Sequence, residues 1–177
     1  MQLLRSHLLG RQIFNIQGGY DMASVIDILV RKDDLKVLLF SLKKHDDLKQ
    51  TYYLMPDDIR QIVTQRILVD REDKISEADD LIRYSNDIKH PFTLLGALVV
   101  TVSGKKLGKV IDHSCDDQFF EVKKIYVNVG LWDKLLQDQL IIDRKDVVDV
   151  TDKKIVVRDN YAKSKQAIPN VLPAEAG

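Results

Sequence analysis

Two stretches of the chain, LLGRQIFNIQGGYDMASVIDILV (8–30) and LLGALVVTVSGKKLGKVIDHSCD (94–116), follow one pattern, and their similarity decides the fold. The matched positions are Leu9-Gly10 with Leu95-Gly96, Ile13-Phe14 with Val99-Val100, Gly18 with Gly104, and Val25-Ile26-Asp27 with Val110-Ile111-Asp112. One residue has to be skipped inside the turn to keep the alignment. Similarity over this length indicates that a whole domain was duplicated.

The similarity continues further along the chain. MPDDIRQIVTQRILVDRED, from Met55, aligns with DRKDVVDVTDKKIVVRDN, from Asp143, and VLLFSL, from Val37, parallels KIYVNV, from Lys124. These three blocks recur in the same order at an offset of roughly 85–88 residues. The chain is therefore interpreted as a tandem duplication.

Both copies consist of short β-branched and apolar segments separated by turn residues, a pattern typical of strands. In the first copy the segments are RQIFNI (11–16), ASVIDILV (23–30), KVLLFSL (36–42), TYYLM (51–55), IRQIVT (59–64) and RILV (66–69). In the second copy they are LVVTV (98–102), GKVIDHSC (108–115), KKIYVNV (123–129), QLIID (139–143), VVDVTD (147–152) and KIVV (154–157). The pattern predicts a mainly β protein made of two tandem small β-barrels joined by a short helix.

The predicted organisation has four parts. They are a first domain at 1–74, a helical linker at 75–90, a second domain at 91–160 and a disordered tail at 161–177. WDKLLQDQ (132–139) predicts an additional helical turn inside the second domain. Because a domain of roughly 70 residues buries too little surface to be stable alone, we expect the two copies to dock on each other.

The linker predicts a short helix at about 77–85. Ser76, followed three residues later by Asp79, resembles the start of a capping box. Leu81, Ile82 and Ser85 lie near helical spacing. We expect the apolar side of this helix, with Leu81, Ile82 and Tyr84, to pack between the two barrels.

The glycines and lysines of TVSGKKLGKVIDHS (101–114) are interpreted as a hairpin turn, not as a phosphate-binding loop. A P-loop requires G-x-x-x-x-G-K-[ST] leading into a helix. Here the glycines lie one residue too close together, and Val110 follows Lys109. Gly18 and Gly104 are therefore predicted to supply the positive φ of a tight turn. The positions to which the repeat gives a structural role are Gly10, Gly18, Asp27, Gly96, Gly104, Gly108 and Asp112.

Composition excludes several classes of protein. Lys+Arg and Asp+Glu each number 27, so the chain lacks the basic excess of a dedicated nucleic-acid binder. The single cysteine, Cys115, excludes an internal disulfide and fits a reducing compartment. The longest apolar run, at 92–102, is far shorter than the roughly 20 residues of a membrane-spanning helix, and the N-terminal residues do not resemble a signal peptide. These features predict a soluble, cytoplasmic protein.

Two groups of residues are candidate sites. In HSCDD (113–117), His113 and Cys115 have side chains that can bind a metal or take part in catalysis, but no second ligand pair or orienting motif accompanies them. The segment is interpreted as a polar loop after a strand, and no catalytic residue, metal site or cofactor is predicted. The second candidate is a basic surface on the second copy, whose residues are Lys105, Lys106, Lys109, Lys123 and Lys124.

The repeated blocks resemble the PRC-barrel domain family over roughly residues 3–160. The second copy carries the family pattern at Leu95-Gly96, Gly104, Leu107, Gly108, Val110 and Asp112. The first copy departs from it at Met22-Ala23, where Leu-Gly is typical, but keeps Pro56, which Arg144 replaces in the second copy. The resemblance implies a small β-barrel used for docking. Related domains contact a ribosomal protein, form part of a photosynthetic reaction-centre subunit, or act in archaeal cell division.

These observations favour a non-catalytic intracellular adaptor that docks a protein partner, including the cytoplasmic segment of a membrane protein, through barrel surfaces and strand edges. The alternative is an RNA- or ribosome-associated assembly factor, in which Phe119, Phe120 and Tyr126 stack on bases beside the lysines. A metal- or cysteine-dependent enzyme is the third hypothesis, and it requires a bound metal or a Cys115 thiol of depressed pKa.

Overall fold

The computed structural model describes residues 1–129 and 139–162. Strands make up 50% of the structure and helical turns 18%, so the chain is mainly β, as the sequence predicts. The helical turn predicted at 132–139 and the tail predicted at 161–177 fall largely outside the described residues. Within the described part of the chain, no helix is long and apolar enough to cross a membrane.

The described elements are short. The strands are β1 (Gln2–Leu4), β2 (Gln12–Asn15), β3 (Tyr20–Val30), β4 (Val37–Lys44), β5 (Tyr52–Leu54), β6 (Ile59–Ile62), β7 (Arg66–Val69), β8 (Ile75–Ser76), β9 (Leu98–Thr101), β10 (Lys106–Asp116), β11 (Val122–Asn128), β12 (Gln139–Asp143), β13 (Val147–Val150) and β14 (Lys154–Val157). The α-helical turns are α1 (Arg5–Leu8) and α2 (Ser85–Lys89), and 3₁₀ turns lie at Pro56–Asp58, Glu72–Lys74, Ala78–Asp80, Ile82–Tyr84, Arg144–Asp146 and Asp159–Ala162.

Every strand predicted in the two copies is confirmed, with bounds that differ by at most a few residues. The sequence did not predict β1 and β8. These strands have three and two residues, too few to show alternation, and their existence depends on the strands beside which they lie.

The strands form two sheets with the same internal order. The first sheet runs β6-β7-β2-β3-β4-β5-β8, and the second runs β13-β14-β9-β10-β11-β12, with β1 added beside β10. In each sheet one pair is parallel, β2 with β7 and β9 with β14. The duplication visible in the sequence is therefore repeated in the strand order.

The registers of the long hairpins also repeat. In the first sheet the Cα partners are Val25↔Leu42, Asp27↔Ser41, Ile28↔Phe40, Leu29↔Leu39 and Val30↔Val37; in the second they are Val110↔Val127, Asp112↔Tyr126, His113↔Ile125, Ser114↔Lys124 and Cys115↔Val122. This register corrects one block of the sequence alignment: Val37 is equivalent to Val122, two residues before Lys124, because its partner Val30 is equivalent to Cys115.

The turns at the tips of the two long hairpins bind each other. Val37 N–H donates to the carbonyl of Phe120 (2.8 Å), and Val122 N–H donates to the carbonyl of Leu35 (2.9 Å). Leu35 and Phe120 both have positive φ, 58° and 52°. Because each contact of one turn is matched by the equivalent contact of the other, an approximate two-fold axis relates the two copies here.

The buried core is continuous across both sheets. The ring of Phe40 in the first sheet meets the ring of Phe120 edge-on, with 5.7 Å between ring centroids. Both rings belong to one buried cluster that extends into the second sheet through Ile125. On the local two-fold axis, Lys36 Nζ lies 3.0 Å from Glu121 Oε1. The expected docking of the copies is therefore present as a shared core.

The connection between the sheets differs from the predicted helix at 77–85. Two 3₁₀ turns precede α2, and the capping box is formed by Glu77 and Asp80. Leu81 and Tyr84 pack on the outer face of the first sheet instead of between the sheets, and Ile82 is 80% exposed. A segment this short has little helical stability of its own, so its packing on the sheet determines its conformation.

Candidate functional site

The first hairpin turn corrects the prediction for Gly18. Positive φ occurs at Gly19 (74°) and not at Gly18, where an added Cβ would collide with the ring of Tyr20. The equivalent turn has positive φ at Gly104 (85°), as predicted. The first turn is one residue longer than the second, so the residue with positive φ is Gly19, which directly precedes β3.

The remaining repeat glycines connect neighbouring segments. The equivalent hydrogen bonds are Gly10 N–H to Val25 O (2.8 Å) and Gly96 N–H to Val110 O (2.9 Å). Gly108 lies directly against the backbone carbonyl of Asn128, where any Cβ would clash. These three glycines shape the sheets, and none of them lines either of the two pockets described below.

The repeat aspartates, Asp27 and Asp112, anchor the first turn of the chain to both sheets. Each carboxylate accepts a hydrogen bond from the next residue's N–H, at 2.7 and 2.8 Å. Arg5 of α1 donates to Asp27 Oδ1 (2.7 Å), and the Ser6 hydroxyl donates to Asp112 Oδ2 (2.5 Å). Through these contacts α1 bridges the two copies.

A cavity of about 130 Å³ lies at this junction, lined by Arg5, Asp27, His113 and residues 91–94. Residues 91–94 are the second copy's counterpart of α1. Ser6 binds Asp112, but its counterpart Phe92 has no hydroxyl to donate to Asp27. The cavity therefore lies where the two copies differ.

His113 lies inside β10, within the strand predicted at 108–115, so the interpretation of HSCDD as a polar loop after a strand is wrong for this residue. It occupies the position of Ile28 in the first copy, which explains its burial: only 3% of the residue is exposed, and its Nδ1 has no hydrogen-bond partner. Burial lowers the pKa of His113 to about 4, although the neighbouring carboxylate of Asp112 acts in the opposite direction. The imidazole is therefore neutral at physiological pH.

Cys115 and Asp116, two further residues of the HSCDD segment, have structural roles. Burial raises the pKa of the Cys115 thiol to about 12, which disfavours the nucleophilic thiolate. The carboxylate of Asp116 accepts hydrogen bonds from the N–H groups of Gln118 (3.0 Å) and Phe119 (2.6 Å) and so shapes the hairpin turn. Among residues 1–129 and 139–162, no group of three His, Cys, Asp or Glu side chains could hold a metal ion.

The five candidate lysines do not form one surface. Lys105, Lys106 and Lys109 lie at one end of the β10–β11 hairpin, and Lys123 and Lys124 lie at the other. Lys109 pairs with Asn128 and Lys124 with Ser114, so the groups are about 16 Å apart at 3.3 Å per residue. Lys123 is also bound to Glu121 (2.9 Å) and Asp116 (3.4 Å).

Lys124 lies in the strand beside the segment that carries Arg144 and Lys145, and we call these three residues the basic rim. The side chains of Arg144 and Lys145 line a pocket together with Lys123 and the carboxylates of Asp116 and Asp143. Lys124 is the Cα partner of Asp143, the residue directly before Arg144 and Lys145. None of the three forms an ion pair with a described residue. Sequence reasoning missed two of these residues, although the replacement of Pro56 by Arg144 between the copies was a visible signal.

The basic rim lies beside a strand edge that distinguishes the two sheets. In the first sheet, β8 pairs antiparallel with β5 through Tyr53↔Ser76 and Leu54↔Ile75. The equivalent strand in the second sheet, β12, is the end of its sheet, and no described strand pairs with its far side. We call this far side of β12 the open edge.

The outer faces of the two sheets differ in the same way. In the first sheet, Leu29, Leu39 and Tyr53 are buried under Leu81 of the linker. The equivalent residues in the second sheet are Ser114, Lys124 and Ile141, and Ile141 is 39% exposed. The first sheet is thus closed by residues 75–88 of its own chain, whereas no described segment covers the equivalent face of the second.

No protein-family model matches the chain, and no curated protein matches it significantly. The resemblance to PRC-barrel domains therefore stays a prediction from the repeated motifs.

Proposed function

We propose that this protein is a non-catalytic cytoplasmic adaptor that docks a protein partner on its second sheet. In this proposal each sheet with its turns corresponds to one PRC-barrel-like domain, the two being joined by the short helical segment before Pro91. The first domain supports the second through the shared core, and the second domain supplies the binding surface.

The observation that carries the proposal is the open edge of β12. An exposed strand edge presents unpaired backbone N–H and C=O groups and is a template for strand addition by another chain. The first sheet covers the equivalent edge with β8. Among the described residues the second sheet has the same topology without that cover, and its edge is therefore the site that we assign to a partner segment.

The chemistry of the buried groups supports a non-catalytic role. His113 is buried and its pKa is lowered, which makes it a weak base. The pKa of Cys115 is raised, which disfavours the thiolate, so the two side chains are not prepared to act as a base and a nucleophile. The separation of the lysines into two groups favours protein docking over the RNA-binding alternative, which gains most from a continuous basic surface.

A cross-linking pull-down from source-cell lysate with three forms of the full chain tests the proposal. Ile141→Lys places a charge on the open edge, which should block strand addition. Val148→Lys is the matched control, because Val148 is 57% exposed on β13, at the opposite end of the same sheet. We expect the unmodified chain and Val148→Lys to capture the same partner and Ile141→Lys to lose it.

Two results would contradict the proposal. Capture of the same partner by all three forms would show that the open edge is not the docking site. Recovery of ribosomal RNA or ribosomal particles that are released by moderate salt would favour the assembly-factor alternative instead.

A further inference from the structure

We propose that Lys163 and Ser164 of the chain itself cover the open edge of β12 reversibly, and that a partner segment has to displace them. This inference rests on the proposed function and adds the regulation of the same site. Its support is the path of the chain after the last strand of each sheet, which is the same in both copies as far as Ala162.

The two paths begin at equivalent strands. Val69 and Val157 end β7 and β14, which are the strands that form the one parallel pair of each sheet. A 3₁₀ turn follows each strand, at Glu72–Lys74 in the first copy and at Asp159–Ala162 in the second. The chain therefore leaves the last strand in the same way in both copies.

Each of these turns is fastened to the same carboxylate. Asp58 and Asp146 are equivalent, because they directly precede β6 and β13. Lys74 Nζ lies 2.8 Å from Asp58 Oδ1, and the Tyr161 hydroxyl donates to Asp146 Oδ2 (2.7 Å). The Tyr161 hydroxyl also accepts the N–H of Asp143, the last residue of β12, at 3.1 Å. The turn at the end of the second copy is thus held beside the open edge.

The first copy shows which residues come next. β8 begins at Ile75, six residues after the end of β7. The sixth residue after the end of β14 is Lys163, the first residue of KSKQAIPNVLPAEAG (163–177). Lys163 and Ser164 therefore hold the two positions that form β8 in the first copy.

The register of β8 and the direction of the N–H groups identify the partner on β12. Ser76 of β8 pairs with Tyr53, and Ile141 is the equivalent of Tyr53 in β12. Because the N–H groups of a strand alternate between its two sides, Ile141 N–H points outward like that of Asp143. We expect Ile141 and Ser164 to exchange both backbone hydrogen bonds.

This cover is held more weakly than β8. Leu81 and Tyr84, which follow β8, pack on the outer face of the first sheet. The equivalent face of the second sheet carries Ser114 and Lys124, which offer little apolar surface for such packing. The pairing at Ile141 therefore opens readily, and the outward amides of β12 stay less protected than those of β5.

A weak cover is sufficient to regulate the edge. Lys163 directly follows the turn that is fastened beside β12, so the covering segment is present at a high effective concentration. The apparent affinity for a partner falls in proportion to the fraction of molecules in which the edge is free. Weakening the cover should therefore strengthen partner binding.

Amide hydrogen exchange of the full chain, followed by NMR, tests the cover at Ile141. Ser164→Pro removes the N–H that donates to Ile141 and should accelerate exchange of the Ile141 amide by about fivefold or more. Ser164→Ala keeps the backbone N–H, and Ala174→Pro places a proline further along the same segment. Both control variants should exchange like the unmodified chain.

Three exchange results would overturn the inference. Equal exchange of Ile141 in all four forms would mean that Ser164 does not pair with it. Equal acceleration by Ser164→Pro and Ala174→Pro would indicate a general effect of proline in the segment. Faster exchange of the unmodified chain on dilution would mean that the covering segment belongs to a second copy.

The lysate pull-down separates this inference from the proposed function. We expect Ser164→Pro to capture more of the Ile141-dependent partner than Ala174→Pro does, and equal capture would overturn the regulation. If Ser164→Pro leaves exchange unchanged but the partner is captured through Ile141, the inference fails and the proposed function stands. If Ser164→Pro accelerates exchange but no captured protein depends on Ile141, the proposed function fails and the cover stands.

Discussion

At the residue scale, the two copies differ most in chemistry at one buried position. Ile28 in the first copy corresponds to His113 in the second, and the histidine keeps the burial of the isoleucine without a hydrogen bond to Nδ1. A buried imidazole without a partner is stable only when neutral, because its charged form would lose its hydration. The stability of the protein should therefore depend on pH through this residue.

We predict that the free energy of unfolding decreases as the pH falls from about 6.5 to about 4. The pKa of His113 is lowered from 6.5 to about 4 in the folded protein, so the unfolded state binds the proton first. The stabilisation is fully present above pH 6.5 and is reduced by about 3 kcal/mol near pH 4. Urea unfolding at several pH values measures this loss.

His113→Ile, which restores the residue of the first copy, should remove most of that pH dependence. His45→Ala is the control, because it also removes one histidine but at an exposed position. A profile that keeps its full slope in His113→Ile would assign the effect to other groups.

The residue scale is also where sequence reasoning was least complete. The strand predicted at 108–115 includes His113, but HSCDD is also interpreted as a polar loop, and only the strand is confirmed at this residue. The repeat itself decides between the two, since His113-Ser114-Cys115 align with the apolar Ile28-Leu29-Val30 of β3. The partner of Asp112, Ser6, lies more than a hundred residues away in the chain and has no sequence signal.

At the element scale, β1 is the least expected feature. It lies within the first copy's segment but pairs with β10 of the second sheet, with Leu3 opposite Cys115. The central strands could be predicted because alternation and repetition specify them, but a three-residue strand is specified only by the edge that it joins. β1 therefore shields Cys115 from solvent.

We predict that Cys115 reacts slowly with a thiol reagent in the folded protein and faster when β1 is loosened. Leu3→Ala removes buried contacts from β1, and the labelling rate should rise by about tenfold or more through local opening, without loss of the far-ultraviolet circular dichroism. Ile16→Ala, at an exposed position in the first hairpin turn, is the control and should label like the unmodified chain. Fast labelling of the unmodified chain would show that β1 does not protect Cys115.

At the scale of the whole molecule, the two sheets form one unit because their long hairpins meet around a local two-fold axis. Phe120 contributes both the backbone carbonyl bound by Val37 and the ring packed on Phe40. The sequence predicted that the copies dock, from their small size, but not this geometry, because hairpin tips carry no signal of what they contact. Disruption of this contact should affect both sheets together.

We predict that Phe120→Ala lowers the free energy of unfolding by about 3–5 kcal/mol, the usual cost of removing a buried aromatic ring. Amide signals from β4 and β11 should be lost in a single transition as denaturant is added. Phe119→Ala is the control: Phe119 is 68% exposed, and its removal should change stability by about 0.5 kcal/mol or less. Separate transitions for the two strands would mean that the sheets unfold independently.

The contrast between a closed first sheet and an open second sheet is tested most directly by amide hydrogen exchange of the full chain. We predict slow exchange for the amides of β5 that face β8, and exchange at least about tenfold faster for the outward amides of β12. Asp143 is the exception, because its N–H donates to the Tyr161 hydroxyl (3.1 Å). Equal protection of the outward amides of β5 and β12 in the protein alone would contradict this contrast, because the edge assigned to a partner would already be occupied.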